Sequence, residues 1–303
     1  MKKTIIPLAL ILQCISLAST SSGQTTIYSD DFATDSSLAQ PPWYNLNNTS
    51  AASYALNPTA GQGLALTVTS GSTGKVNEMF AEFTPVTLSA GDSLSLTVLF
   101  NSPSGMSTDT GGLLAGLYNN STVNSTNEQG STGGGTTAGG ETAASQGYFG
   151  IMGYNTGAGT STKFYSRQGG ATDNNELGYY SSMTSGSYTQ LSSFGAAGNA
   201  NLGLNINYTL QFTITDNGAS GNSILATVSN GSTTLDSWTS TDASGLYDTF
   251  NQLDFGNYGK ASAVDVNILS ESVTEITPTP EPASLALLGA GAGLFGMMRF
   301  RRR

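Results

Sequence analysis

Asn207-Tyr-Thr-Leu-Gln-Phe-Thr-Ile-Thr215, Ser223-Ile-Leu-Ala-Thr-Val-Ser229 and Ser232-Thr-Thr-Leu-Asp-Ser-Trp238 decide the fold class. The first two are separated by Asp216-Asn-Gly-Ala-Ser-Gly-Asn222 and the last two by Asn230-Gly231. Apolar and hydroxyl residues alternate with period two, the spacing of a half-buried strand. Asn-Gly between two such runs favours a tight type I′ hairpin. These segments therefore predict a three-strand antiparallel meander.

The same grammar extends outward in both directions. Upstream, Ser93-Leu-Ser-Leu-Thr-Val-Leu-Phe100 turns Leu94, Leu96, Val98 and Phe100 to one side, and Glu78-Met-Phe-Ala-Glu-Phe83 separates Met79, Ala81 and Phe83 from Glu78, Phe80 and Glu82. Further strands are expected at Thr26–Phe32, Gly63–Thr69, Leu113–Tyr118, Tyr148–Met152 and Lys163–Ser166, with Tyr179, Tyr180 and Tyr188–Phe194 in a more irregular stretch. Leu253–Phe255, Ala263–Leu269 and Ser272–Ile276 close the series. Residues 119–147 are Asn, Ser, Thr and Gly with little to bury, and are expected to form a long mobile surface loop. Roughly a dozen strands joined by short turns predict an all-β fold, a two-sheet antiparallel β-sandwich over residues 25–276.

The two ends read as address segments. Met1-Lys2-Lys3 and the apolar run to Leu17 have the form of a secretory signal peptide over residues 1–23, cleaved after Ala18 or Gly23. At the other end, residues 277–303 hold three alternating prolines in Pro278-Thr-Pro-Glu-Pro282, an uncharged run from Ala283 to Met298, and Arg299, Arg301, Arg302 and Arg303. Sixteen residues of helix reach about 24 Å, a short transmembrane helix, with the arginines as its cytoplasmic stop.

Without both ends the chain loses its single Cys, Cys14, and has no disulfide. Four basic residues (Lys75, Lys163, Arg167, Lys260) then face nineteen acidic ones, a formal charge of −15. Such a body repels nucleic acid and leaves neutral glycans and divalent cations as partners. The chain has no His, which excludes Ser-His-Asp and Cys-His catalysis and the usual zinc sites.

Pro280-Glu281-Pro282, the short Leu/Gly/Ala helix and the terminal arginines resemble the PEP-CTERM sorting signal of Gram-negative bacteria. The resemblance implies export through the Sec pathway and an inner-membrane-anchored intermediate. An exosortase-type processing enzyme is the implied partner, and release to the cell surface or extracellular matrix follows. The order of strands resembles the concanavalin A-like, or laminin-G-like, jelly roll, on Tyr28-Ser-Asp-Asp-Phe32, Trp43, the meander and Phe250–Gly256. In jelly-roll glucanases, which share this pattern, the acids stand as Glu-x-Asp-x-x-Glu on one strand. Glu78 and Glu82 share a strand face but lack the intervening Asp, and read as a solvated face.

No catalytic residue is therefore assigned, and a degenerate glycoside hydrolase ranks behind a non-enzymatic surface or biofilm-matrix protein. A carbohydrate-binding module for exopolysaccharide is the alternative, with Trp43, Tyr44, Tyr148, Tyr154, Tyr179, Tyr180, Tyr188 and Trp238 as available aromatics, most of them expected in the core. No cofactor is expected beyond a structural Ca²⁺, for which Asp30, Asp31 and Asp265 on the first and last strands are the candidates.

Overall fold

The meander forms as the alternation demands. In the computed structural model Tyr208–Asp216 (β11), Asn222–Asn230 (β12) and Thr233–Asp242 (β13) pair antiparallel, with Ile214 opposite Ile224 and Ala226 opposite Trp238. Gly231 holds φ at +56°, but neither Asn230 nor Ser232 has a positive φ, so the tight turn forms without being the type I′ turn expected. Residues 22–34, 43–47, 52–57, 63–68, 75–104, 111–120, 145–154, 161–168, 188–195, 199, 201–259 and 264–278 are described.

Ser93–Ser104 (β6) extends the meander by pairing with β11. Beyond it lie Val264–Pro278 (β15), Gly63–Val68 (β4) and Ala52–Asn57 (β3), with Ser22–Asp30 (β1) also paired to β15, completing an eight-stranded sheet. The second sheet has seven strands, in the order Tyr188–Ser193 (β10), Lys163–Arg167 (β9), Gln146–Gly153 (β8), Gly112–Asn119 (β7), Thr249–Gly259 (β14), Lys75–Thr87 (β5) and Trp43–Asn47 (β2). The fold class is the expected all-β sandwich of two antiparallel sheets.

Their inner faces share one apolar core, with Leu94, Leu96, Val98 and Phe100 of β6 turned inward as expected. Phe100 lies 6.3 Å from Phe255, and Phe164 lies 6.1 Å from Phe212, so aromatic pairs bridge the two sheets.

The outward positions of β6, β11 and β12 follow the opposite rule. Ser93 bonds Thr215 at 2.8 Å and Ser95 bonds Thr213 at 2.9 Å through their hydroxyls. An asparagine row continues the pattern: Asn267 Nδ2 donates to Asn101 Oδ1 at 3.0 Å, and Asn101 Nδ2 donates to Asn207 Oδ1 at 2.9 Å. Ser, Thr, Asn and Gln fill this wall with Leu99 and Leu225, and none of its outward residues is charged.

Three expectations shift, the first being that the closing strands expected at Ala263–Leu269 and Ser272–Ile276 are one strand, Val264–Pro278. Tyr188–Ser193 is a regular edge strand rather than an irregular stretch, pairing with β9 through a bulge between Gln190 and Ser192. Leu253–Phe255 is the middle of a longer strand, Thr249–Gly259. The chain divides into one unit at 25–275 and a second made of residues 1–24 and 276–303, of which only 22–24 and 276–278 are described. The signal helix, the C-terminal helix, the Pro280–Pro282 motif with its arginines, and most of the 119–147 loop lie outside the described residues. Among the described residues no helix is long and apolar enough to cross a membrane.

Candidate functional site

β5 puts Met79, Ala81 and Phe83 into the sandwich core, which turns Glu78, Phe80 and Glu82 to the outer face of the seven-stranded sheet. Register then assembles their neighbours. Glu82 stands opposite Gln252, which is followed across the sheet by Tyr118, Gly147, Arg167 and Tyr188. One step along, Phe80 faces Asp254, followed by Gly116, Phe149, Tyr165 and Gln190. Glu78 faces Gly256. Asp254 thus sits diagonally between Glu78 and Glu82, at a separation typical of diagonal cross-strand neighbours, about 7–8 Å.

This face is not solvated at Glu78, contrary to expectation, while Glu82 is half-buried. Glu78, Gln252, Asp254, Tyr118 and Arg167 are each 0% exposed. Phe80, Leu114, Tyr118, Phe149, Ile151, Tyr165 and Tyr258 form a second apolar cluster, separate from the core between the sheets. Two glycines make room for it. A Cβ on Gly116 would lie 2.5 Å from the Tyr118 ring, and one on Gly256 would lie 2.9 Å from Glu78 Cγ and 2.6 Å from Asn77 O. Only bare backbone lets the Tyr118 ring and the Glu78 stem lie against the sheet.

The polar groups are unevenly satisfied. Both carboxylate oxygens of Asp254 and Nε2 of Gln252 lack hydrogen-bond partners, while Gln252 Oε1 accepts from Ser145 Oγ at 2.9 Å. Arg167 donates from Nη1 to Ser145 O and from Nε to the Tyr188 hydroxyl at 3.3 Å, with its guanidinium 5.8 Å from the Tyr188 ring centre. Burial, and then the Glu78 and Glu271 carboxylates, push Asp254 well above the usual carboxylate range, and Arg167 only partly offsets them. Asp254 therefore holds its proton to a higher pH than an ordinary carboxyl does. Burial likewise pushes the Tyr118 hydroxyl up, with Asp254 and Glu78 adding to it.

Toward β10 the face opens. Tyr188 is half-buried, edge-on to Phe149 at 5.8 Å, and Phe149 stacks on Tyr165 at 5.0 Å. The exposed Gln190 accepts from the Tyr165 hydroxyl at 3.4 Å.

The metal candidates are not brought together. Asp30 is buried and accepts from Trp43 Nε1 at 2.7 Å. Asp31 is exposed and accepts from Ala33 N and Thr34 Oγ1 in its own turn, while Asp265 accepts from Ser104 Oγ at 2.5 Å. Among the described residues no group of three His, Cys, Asp or Glu side chains could hold a metal. Of the aromatics, Trp43, Tyr148, Tyr154 and Trp238 are core, and Tyr188 alone reaches the outer face; Tyr179, Tyr180 and the Tyr44 side chain lie outside the described residues. Sequence reasoning missed Asp254, Gln252, Tyr118 and Arg167. The available signal was Phe80, Tyr118 and Phe149 in the outward phase of strands whose inward phase is also apolar, the pattern of a sheet covered on both faces.

The PEP-CTERM protein-sorting motif matches residues 278–303. Among solved structures, the chain is similar to lectin II from Ulex europaeus, at 14% identity over 83% of this chain and 99% of the lectin, with a TM-score of 0.46. It is also similar to the metal-free carbohydrate recognition domain of Emp46p, at 15% identity over 81% and 95% with a TM-score of 0.44. Arcelin-5, a lectin-like defence protein of Phaseolus vulgaris, gives 13% identity over 83% and 99%, with a TM-score of 0.44. No curated protein matches the chain.

Proposed function

We propose that this chain is an exported, non-enzymatic cell-surface or extracellular-matrix protein, handed by its tail to an exosortase-type processing enzyme. The sorting motif at 278–303 carries this reading. The order of its parts, alternating prolines, an uncharged apolar run and terminal arginines, suits an inner-membrane intermediate with the arginines on the cytoplasmic side. Two features of the body support a non-enzymatic cargo: the chain has no His, and Glu78 and Asp254 are buried. Deleting Pro280–Pro282 and fractionating the cells tests the reading. Retention in the inner membrane is expected, and unchanged surface delivery overturns it.

A second reading, binding of a neutral exopolysaccharide, is favoured by one observation: Tyr188, half-buried, stands between Arg167 and Gln190 at the open end of the aromatic row. An aromatic ring beside the exposed amide of Gln190 suits a sugar face and its hydroxyls. Pull-down of the host's exopolysaccharide by the full chain should fall at least fivefold in Tyr188→Ala. Absence of any binding by the unmodified chain removes this reading.

A further inference from the structure

The two turns of the meander each carry an Asn-Gly pair, Asn217-Gly218 and Asn230-Gly231, and no other Asn in the chain precedes a glycine. Asn before Gly is a labile amide, because a glycine has no side chain to shield its backbone nitrogen. That nitrogen can attack Asn Cγ. A C–N bond forms, and the side-chain nitrogen leaves as ammonia with the proton that the backbone amide gives up. Water then opens the cyclic imide at one carbonyl or the other, leaving aspartate or isoaspartate. Water is the co-reactant, and the step needs no oxidant or reductant.

The fold holds the two pairs differently. At the first turn Gly218 N, the attacking atom, already donates to Asp216 Oδ1 at 2.6 Å. Asn217 N donates to Gly221 O at 2.9 Å, Ser220 N donates to Asn217 O at 3.3 Å, and Gly221 N donates to Gly218 O at 3.0 Å. Asn217 is fixed at a ψ of 20°, which points the Gly218 nitrogen away from the side chain it would attack. A Cβ on Gly218 would also lie 3.2 Å from Ala90 Cβ, so the turn is packed on its flank. Every one of these contacts opposes the rotation that attack requires.

The second turn is open. Asn230, Gly231 and Ser232 are exposed, and a Cβ on Gly231 would meet nothing within 4 Å. Asn230 must also rotate, but this disturbs only the last pair of the hairpin, Asn230 with Thr233. A shift of register between Val228 and Ser229 already separates that tip from the regular ladder behind it. Exposed loop tips of small polar residues are where such local opening is cheapest.

We propose that Asn230 is a self-modification site, converted to aspartate and isoaspartate in the folded protein, and that Asp216 protects Asn217 from the same reaction by holding Gly218 N. Conversion adds a negative charge where β12 joins the edge strand β13, and isoaspartate lengthens the backbone there by one atom. Its extent records the age of the molecule. The site stands independently of the sorting tail and of glycan binding.

The test incubates the full chain, purified in detergent, at mildly alkaline pH and follows both sites by peptide mass spectrometry, with enzymatic methylation of isoaspartate as a second readout. In the folded chain Asn230 should convert at least fivefold faster than Asn217; in urea, where only local sequence acts, the two rates should converge. Asp216→Ala should raise the Asn217 rate at least threefold without changing that of Asn230. Asp216→Asn, whose amide oxygen still accepts from Gly218 N, should keep Asn217 protected. Equal rates in the folded chain, or an Asn230 that converts only in urea, overturn the site, and an unchanged Asn217 rate in Asp216→Ala overturns the role of Asp216.

Discussion

Asp254 shows how much one side chain can owe to a strand 170 residues away in sequence. Nothing in Gln252-Leu-Asp-Phe-Gly256 marks its carboxyl as different from the body's other acids; the register with β5 places it against Phe80 and beneath the second apolar cluster. Its folded pKa lies above the ordinary value of about 3.9. The stability it contributes is therefore fully present below about pH 3.9 and is lost as pH rises toward the raised folded value. Urea unfolding in EDTA should give a midpoint that falls between pH 5 and pH 8, and Asp254→Asn should fall less steeply, because an amide has no proton to lose. An unaltered slope in the variant would show that Asp254 titrates as it does in the unfolded chain. The sequence reading went astray at the same scale: alternation assigned Glu78 and Glu82 to the outer face correctly, but only Glu82 keeps partial exposure there and Glu78 is buried.

At the scale of elements the legible parts are those with local causes. The meander was readable because alternation and the Asn230-Gly231 turn are short-range properties; expectation and structure differ by a residue at the ends of β11 and β12, while β13 runs on from Trp238 to Asp242. β10 was not, because a polar edge strand, Tyr-Thr-Gln-Leu-Ser-Ser, has no apolar alternation and takes its shape from β9. Gly231 offers a clean measurement of the local part. A Cβ there meets nothing within 4 Å, so a substitution is felt only through φ of +56°. Gly231→Val should cost about 1–2 kcal/mol in urea unfolding. Gly231→Asn should cost distinctly less, since Asn tolerates the left-handed region; equal costs for the two would mean that the turn relaxes.

On the scale of the molecule, sequence alone reached the sandwich and the sorting tail, because both are written in composition and short patterns. It did not reach the buried acids Glu78 and Asp254, since they are brought together by pairing β5 with β14, strands that lie far apart in the chain. The hydroxyl and asparagine wall on β6, β11 and β12 has a consequence for how such bodies share space. A domain with a formal charge of −15 repels its copies from most directions, but only within about a Debye length, near 8 Å at physiological salt. This wall has no charge of its own, so two copies meeting through it do the least electrostatic work. At high protein concentration copies are therefore oriented wall toward wall, and their spacing along that direction should change least when salt is diluted.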